Sequence, residues 1–346
     1  MAFSTIIKPS DYFDTSLWTG NSTSRLIPLD FEPSFVWGKA RSVATQHALF
    51  DAVRGATDRI KSDTNGAEVP NSGVTAFNSN GFTNGTSDSL NQNGQTFASW
   101  SWKANGSGSA NTDGSINSTV SASTTSGFSI VKYTGTQATA TVGHGLGIAP
   151  KMIFFKNVDI ADEWLAGVNA GSLDFTQYAY LNLTNAFSGN GAAFFNDTNP
   201  TSSVFSLGNS SNINKSGSSI IAYCFADVQG FSKIGSYIGN GNADGTFVYT
   251  GFKPAFILIK SATTAMYWHI FDDKRQGFNP NNYRLNPNSS EVETTTTGVL
   301  DFLSNGFKIR TNQQQFGTNG ATYIYMAFAA APFVANSGQS IPTTAR

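Results

Sequence analysis

The chain has 346 residues, a formal net charge of −1, 13% aromatic residues and only 12% charged residues. A typical soluble protein has about 25% charged residues, so Ser, Thr, Asn, Gln and Gly must supply the polar surface, and these favour turns and strands over helix interiors. The composition therefore predicts a β protein without the basic field that binds nucleic acid. The single cysteine, Cys224, excludes an intrachain disulfide and a cysteine-cluster metal site.

We expect no secretion signal at the N-terminus. Residues 1–10 lack the basic start and the apolar core of a secretion signal, and no apolar run in the chain is long enough to span a bilayer. We therefore expect no membrane insertion, and we expect synthesis and assembly in a cytoplasm.

Three places along the chain share one pattern: a glycine two positions after an aromatic residue, then a proline, then a run of bulky residues that ends in a lysine. The lysine comes six positions after the proline each time. Proline fixes its own φ and has no N–H for a sheet ladder, so it suits the first residue of a strand. The glycine, proline and lysine landmarks are, in chain order, Gly20, Pro33 and Lys39; Gly135, Pro150 and Lys156; and Gly239, Pro254 and Lys260.

Each copy of the pattern ends in a predicted strand that opens at a glycine and carries large residues three, six and eight positions later. In a strand with a period of two, the residues at six and eight share one face, and the residue at three lies on the other. We expect the first face in a core and the second covered by a sandwich partner or a subunit contact. The large residues are Phe97, Trp100 and Trp102 after Gly94; Ile220, Tyr223 and Phe225 after Gly217; and Tyr323, Met326 and Phe328 after Gly320.

Two Asn-Gly pairs between aromatic residues predict tight hairpin turns, because both residue types tolerate positive φ. They lie in residues 77–82 and 302–307. The middle copy has Val204 and Phe205 at this place without the Asn-Gly pair, so its turn should differ.

The landmark prolines are 117 and then 104 residues apart, which leaves room for roughly seven to nine short strands in each copy. We expect an all-β protein of three tandem antiparallel β-sandwiches, jelly-roll or lectin-like, over residues 1–104, 127–227 and 228–346, the last with a polar C-terminal tail. Residues 105–126 are rich in Ser, Gly and Asn and are predicted to form a flexible linker or an extended arm. Only residues 226–231 separate the second and third units, so we expect those two to dock rigidly.

An Asp-x-x-Arg motif recurs in two copies and is interpreted as a structural ion pair, because catalytic sets are normally singular. Asp51 and Arg54 stand 12 and 15 positions after their landmark lysine, and Asp272 and Arg275 stand at the same distances after theirs. The middle copy has Val168 at the aspartate position and must do without the pair.

No metal or cofactor site is predicted. The histidines lie one in each copy without the paired spacing of a metal centre; they are His47, His144 and His269. Residues 240–245 resemble the start of a calcium loop, but Gly251 stands where its glutamate is required, so a hairpin turn is preferred. A second oxygen cluster is an alternative site for calcium or a sugar, formed by Asn157, Asp159, Asp162 and Glu163.

No catalytic residues are predicted either. A polysaccharide hydrolase needs two carboxyls that face one cleft, but Glu68 and Glu291 recur at matching positions after Asn65 and Asn288, which again indicates a structural role. The sequence has no Gly-x-Ser-x-Gly elbow, phosphate-binding loop or dinucleotide fingerprint.

Three aromatic residues are candidates for surface binding, since exposed rings beside Asn, Asp and Gly suit the C–H faces of sugars. They are Trp164, Tyr267 and Trp268. The alternative is that they pack between units or subunits.

Several stretches of the sequence resemble a repeat family of marine tailed-phage proteins, found in phages of cyanobacteria and other ocean bacteria. They are residues 133–135, 142–153, 235–245, 301–307 and the terminal 344–346, together with 11–13 and 50–55. Members of that family are described as tail-fibre or virion structural proteins. The resemblance implies a place on the phage particle and transfers no catalytic residues.

The leading hypothesis is a non-enzymatic tail-fibre or tail-associated adhesin subunit in a virion. We expect it to form a homo-oligomer, with a trimer favoured, and to contact other virion proteins and a host surface glycan or envelope protein. The alternatives are a capsid decoration or head-fibre protein and, less favoured, a host-polysaccharide depolymerase.

Overall fold

The computed structural model describes residues 4–332, with the backbone alone at 296 and 297. This part of the chain contains 27 strands, one 3-10 helix at Pro9–Asp11 and three helices of four or five residues. All strand pairs within its sheets are antiparallel. The predicted all-β class is confirmed, and the polar tail predicted after the third unit lies outside the described residues.

Residues 4–104, the first segment, form one large and one small sheet. The large sheet has the order β1-β9-β3-β4-β5-β6 and the small sheet the order β2-β8-β7. The elements are β1 (Phe13–Thr19), β2 (Arg25–Pro28), β3 (Phe35–Ala40), β4 (Ala48–Asp51), β5 (Gly55–Ile60), β6 (Val69–Pro70), β7 (Val74–Asn78), β8 (Gly81–Asn84), α1 (Asp88–Asn91) and β9 (Thr96–Trp102).

Residues 105–227, the second segment, again form a large and a small sheet. The orders are β10-β11-β12-β19-β14-β15-β16-β17 and β13-β18. The elements are β10 (Ser109–Asn111), β11 (Ser118–Ser123), β12 (Phe128–Thr134), β13 (Ala140–Gly143), β14 (Met152–Asn157), β15 (Leu165–Val168), β16 (Gln177–Tyr180), β17 (Ser188–Gly189), α2 (Gly191–Phe195), β18 (Val204–Leu207), α3 (Ser211–Asn214) and β19 (Ser219–Phe225).

Residues 228–332, the third segment, form two four-stranded sheets. The orders are β20-β27-β22-β23 and β21-β26-β25-β24. By its closing strand, the first corresponds to the large sheets of the other segments and is called the large sheet below; the second is called the small sheet. The strands are β20 (Ser232–Ile238), β21 (Phe247–Tyr249), β22 (Phe252–Ser261), β23 (Trp268–Asp272), β24 (Asn281–Arg284), β25 (Thr294–Leu303), β26 (Gly306–Ile309) and β27 (Thr322–Pro332).

In each segment, one face of the large sheet packs against the small sheet around an apolar cluster of its own. The predicted large residues three positions after each glycine lie in these clusters: they are Phe97, Ile220 and Tyr323. The bulky runs after the landmark prolines are buried on both faces, which is why they read as continuous apolar stretches without alternation.

The opposite faces of the three large sheets meet in one central cluster. It contains the residues six and eight positions after each glycine: Trp100, Trp102, Tyr223, Phe225, Met326 and Phe328. Aromatic rings cross the segment boundaries there, as between Phe35 and Tyr223 with centroids 4.4 Å apart, and between Trp102 and Phe256 at 5.7 Å. The three segments therefore share a core, and the first segment packs against the other two as closely as they pack against each other.

Two predictions about the path of the chain are wrong. Residues 105–126 are not a free linker, because β10 and β11 lie in them and extend the second large sheet beyond β12 through backbone pairing that needs no apolar side chains. None of the landmark prolines is the first residue of a strand. β3 and β14 start two residues after Pro33 and Pro150, whereas β22 starts before Pro254, which lies at a shift in the ladder register where its missing N–H is tolerated.

The hairpins predicted from the Asn-Gly pairs are confirmed, with the glycine opening the returning strand. Asn78 pairs with Gly81 in the first segment, and Leu303 pairs with Gly306 in the third. In the second segment β18 pairs only with β13, so its connection differs as predicted.

Candidate functional site

The residues eight positions after the landmark lysines connect neighbouring segments through their ring nitrogens. Each large ring is buried and reaches a backbone carbonyl of another segment. The contacts are Trp164 Nε1 to Lys61 O at 2.8 Å, Trp268 Nε1 to Tyr180 O at 2.9 Å, and His47 Nε2 to Asn286 O at 2.9 Å. They run from the second segment to the first, from the third to the second, and from the first to the third, so they close a ring.

Backbone hydrogen bonds close the same ring in the opposite sense. Their acceptors all lie two positions after a landmark lysine. The bonds are Glu68 N to Val158 O at 2.8 Å, Phe187 N to Ala262 O at 3.0 Å, and Glu293 N to Arg41 O at 2.9 Å. Each segment therefore donates to one neighbour and accepts from the other.

The first Asp-x-x-Arg motif is a fully buried ion pair at the boundary with the second segment. Arg54 Nε donates to Asp51 Oδ2 at 2.5 Å, and Tyr223 of the second segment donates its hydroxyl to the same oxygen at 2.6 Å. Burial raises the pKa of Tyr223 well above its ordinary value, so the phenol keeps the proton that it donates.

The second motif repeats this arrangement with the first segment as its neighbour. Arg275 Nε donates to Asp272 Oδ2 at 2.5 Å, and Trp100 Nε1 donates to the same oxygen at 3.0 Å. The Arg275 guanidinium also lies over the Trp100 ring, 5.5 Å from its centroid. Both pairs are structural ties between segments, as the repetition predicted.

At the boundary between the second and third segments, both partners of this contact are replaced by apolar residues. Val168 stands at the aspartate position, and Met326 of the third segment stands where the other copies have a tyrosine or tryptophan that donates. Both residues lie in the central cluster. Val168 supplies no carboxylate at this boundary, and Met326 has no N–H or O–H that would need one.

Two glutamates, Glu68 and Glu293, bind the arginines of the two Asp-x-x-Arg motifs. Glu68 accepts from Arg54 Nη1 at 2.7 Å, and Glu293 accepts from Arg275 Nη1 at 2.9 Å. The match of Glu68 with Glu291 is therefore wrong, because the stretch from Asn288 to Glu293 is two residues longer than that from Asn65 to Glu68. Glu291 itself is exposed.

The landmark lysines are completely buried, with their ammonium groups directed at backbone carbonyls. Lys156 Nζ donates to Asn65 O of the first segment at 3.1 Å, and Lys260 Nζ donates to Thr184 O of the second at 2.8 Å. Burial lowers the pKa of Lys156 to about 8 and that of Lys260 to about 7. Lys39 is equally buried, and its Nζ donates to Ala40 O.

The histidines and the cysteine are also confined to internal roles. His47 Nδ1 accepts from Trp37 Nε1 at 2.9 Å, and burial lowers its pKa well below the ordinary value. Burial lowers the pKa of His269 to about 3, and it raises the pKa of Cys224, which has no exposed surface. No group of three His, Cys, Asp or Glu side chains suited to a metal ion occurs among residues 4–332.

In the two oxygen-rich loops, residues 240–245 and 157–163, several side-chain oxygens accept hydrogen bonds or form ion pairs within the protein. Asn240 and Asn242 accept from the backbone two positions later, and Asp244 pairs with Lys308 at 2.5 Å. In the other loop, Asp159 Oδ2 accepts from Ser219 N at 2.7 Å, and Asp162 accepts from Asn212. Both loops behave as structural turns.

Two of the three aromatic residues proposed for surface binding are internal. Trp164 and Trp268 have no exposed surface, because their indoles fill the junctions described above, so their proposed role as surface binders is wrong. Tyr267 alone is exposed, at 39%. The alternative interpretation, packing between units, is the correct one for both tryptophans.

An exposed aromatic pair that was not predicted from the sequence lies on the edge strand β21. Phe247 is 45% exposed and Tyr249 is 60% exposed, while Val248 between them points into the core. Lys308 pairs across the sheet with Phe247 and with Asp301 on the other side, so charged groups adjoin the rings. The alternation of aromatic residues around a valine was the available signal.

Residues 8–332 match one family model, described as a domain of unknown function (DUF7483). The chain belongs to this family. The match runs across all six sheets, so the family is defined by the whole three-segment assembly and not by a single copy of the pattern. No curated protein matches the chain.

The family description assigns no activity, so the aromatic pair and the segment junctions are the features from which a function must be argued. Within residues 4–332, no helix is long and apolar enough to cross a bilayer.

Proposed function

We propose that this member of the family is a non-enzymatic virion structural protein that acts as a tail-fibre or tail-associated adhesin. The proposal rests on the resemblance to marine tailed-phage proteins and on the use of the buried ionisable groups as ties between segments. A binding role needs a stable scaffold and an exposed recognition surface, and in this proposal the shared core and the exposed aromatic pair supply them.

The scaffold in this proposal is three copies of one β-sandwich of the jelly-roll or lectin-like kind, arranged about a pseudo-threefold axis. The same glycine pairs recur in support of it: the N–H of Gly94, Gly217 and Gly320 donates to the carbonyl of Gly20, Gly135 and Gly239 at 2.9, 3.0 and 2.9 Å. The three donors have φ values of +74°, +77° and +75°, which favour glycine. The cyclic contacts between segments follow the same order.

The recognition surface in this proposal is the outer face of the small sheet that carries β21. Aromatic faces stack on the C–H faces of sugars, and neighbouring charged groups can bond ring hydroxyls. Phe247 and Tyr249 lie on that face, and Lys308, Arg310 and Asp244 form ion pairs beside them. The matching strand β2 exposes Leu26 and Pro28 at these positions, neither of them aromatic, so the aromatic pair distinguishes the third copy from the first. This exposed pair is the observation that carries the adhesin proposal.

The partners proposed are other virion proteins and a host surface glycan or envelope protein. A homo-oligomer, with a trimer favoured, would multiply weak sugar contacts through avidity. The location proposed is the virion, after assembly in the host cytoplasm.

Two measurements test this function. Gold-labelled antibodies against the protein should mark the tail of purified phage particles, and label restricted to capsids would reject the tail adhesin in favour of a decoration protein. On an array of bacterial surface polysaccharides, the double variant Phe247→Ala/Tyr249→Ala should lose at least about tenfold in binding without a change in melting temperature, since exposed substitutions rarely alter stability by more than about 0.5 kcal/mol.

The matched control for the array is Phe278→Ala, which removes a 70% exposed ring elsewhere in the third segment. It should leave binding unchanged. Equal loss in both variants would contradict a site on β21, and release of reducing ends from the polysaccharide would contradict the non-enzymatic assignment.

A further inference from the structure

A polar groove of about 480 Å³ lies where the turn after β4 of the first segment meets the outer strands of the second large sheet. Ligand sites prefer such junctions between structural units, and their volumes span about 300–1,000 Å³. The lining residues are Val53, Ala110, Asn117, Ser118, Thr119, Lys132, Tyr133, Thr134 and Ser219. Most of them carry a hydroxyl or an amide.

The other two junctions have different contacts at the matching places. At the boundary of the second and third segments, Gly171 approaches Ser236 so closely that a Cβ on the glycine would lie 2.1 Å from the serine Oγ. At the boundary of the third and first segments, Lys274 Nζ lies 3.9 Å from Asp14 Oδ1. At the first boundary the turn presents the short apolar side chain of Val53.

The second wall of the groove comes from β10 and β11, which have no counterpart in the other two large sheets. Thr119 pairs with Lys132, and Thr134 pairs with Ser219, so the ladder places these four side chains on one face of the sheet. The stretch that reads in the sequence as a linker therefore builds part of the groove.

Lys132 is the only charged residue in the lining. It is half-buried, and among residues 4–332 its ammonium group has neither an ion pair nor a hydrogen bond with another described side chain or carbonyl. The positions that match it, three before the other two landmark glycines, are Leu17 and Ser236. A partly desolvated cation without a carboxylate partner favours an anionic ligand.

We propose that this groove binds an acidic sugar residue, with Lys132 pairing with its carboxylate and the hydroxyls of Thr119, Thr134 and Ser219 bonding the ring hydroxyls. The single cation sets the charge of the ligand, and the row of hydroxyls on one sheet face suits a polyol. This inference deepens the adhesin proposal and rests on it for its biological meaning, although binding of a free sugar can be measured apart from it.

Saturation-transfer NMR on the whole protein at low salt tests the site, with glucuronate, glucose and inorganic sulfate as probes. Glucuronate should bind, added salt should weaken it, and Lys132→Gln should lower its affinity by about tenfold or more, since the variant loses a charge-assisted hydrogen bond. Lys253→Gln, which removes an exposed lysine of the third segment, should have no effect. Ala110→Trp fills the groove and should abolish binding.

Three results would overturn the proposal: no glucuronate signal at roughly 10 mM, equal affinity for glucose and glucuronate, or displacement by sulfate at the affinity of glucuronate itself. The melting temperatures of all variants show whether each one is folded. Failure here leaves array binding through Phe247 and Tyr249 unaffected, whereas failure of that array binding with intact glucuronate binding would reject the aromatic face alone.

Discussion

The buried contact between Tyr223 and Asp51 should stabilise the junction of the first and second segments measurably. Tyr223→Phe removes the hydroxyl that donates to Asp51 Oδ2 at 2.6 Å and leaves the ring in place. Hydrogen bonds to charged groups contribute about 1.5–3 kcal/mol. Asp51 keeps its bond from Arg54 Nε, so we expect a loss of about 2 kcal/mol in the free energy of unfolding and not a failure to fold.

The assay is a double-mutant cycle in guanidinium chloride with Tyr223→Phe, Asp51→Asn and the double variant. Residues in one hydrogen-bonded network show coupling energies of about 0.5–3 kcal/mol. We expect the upper half of this range, because both partners lack exposed surface.

Tyr133→Phe is the matched control, since its hydroxyl donates to the Ile213 carbonyl at 2.7 Å within the second segment. It should cost about 1 kcal/mol and add to Asp51→Asn without coupling. Coupling below about 0.5 kcal/mol between Tyr223 and Asp51, or coupling as large with the control, would refute the role of this contact.

Three further changes test other parts of the account. Val168→Asp should cost about 3–5 kcal/mol by burying an unpaired carboxylate in the central cluster, and a midpoint of denaturation within error of the parent would contradict this. Gly135→Ala should cost about 1–3 kcal/mol, because its Cβ would lie 2.3 Å from a backbone oxygen, whereas Gly189→Ala meets nothing within 4 Å and should change stability by less than about 0.5 kcal/mol in the same denaturation assay. Burial lowers the pKa of Lys260 to about 7 from its ordinary value of 10.5. Between these two values the unfolded chain binds more protons than the folded one, so stability should rise with pH, by at most about 1.4 kcal/mol per pH unit. Lys260→Met should remove that rise, and parallel pH profiles for the two proteins would show that Lys260 is not its source.

The landmarks and closing strands could be predicted because they depend on local rules. The positions of Gly94, Gly217 and Gly320 require positive φ, and the residues six and eight positions later share a face by the strand period. The structural role of the repeated Asp-x-x-Arg motif also followed from repetition alone.

The central cluster could not be derived from the pattern, because which surface covers a second apolar face is a property of the assembled chain. Trp164 and Trp268 looked like surface residues for the same reason, since only the neighbouring segment supplies the carbonyls that their indoles reach. The prediction that residues 105–126 form a linker was wrong because strand pairing at a sheet edge depends on the backbone, and small polar residues suffice for it.

The candidate binding features were the least predictable. Phe247 and Tyr249 alternate with a buried valine, but the same alternation is compatible with a covered strand. The groove beside Lys132 depends on how β10 and β11 extend the sheet next to Val53. Residue spacing in the sequence does not predict that arrangement.

Differential scanning calorimetry tests most directly whether the three segments form one closed ring. Shared burial in the central cluster, together with the cyclic hydrogen bonds, predicts a single transition in which the calorimetric and van't Hoff enthalpies agree. Two or three separable transitions would contradict the ring and would indicate units that fold independently.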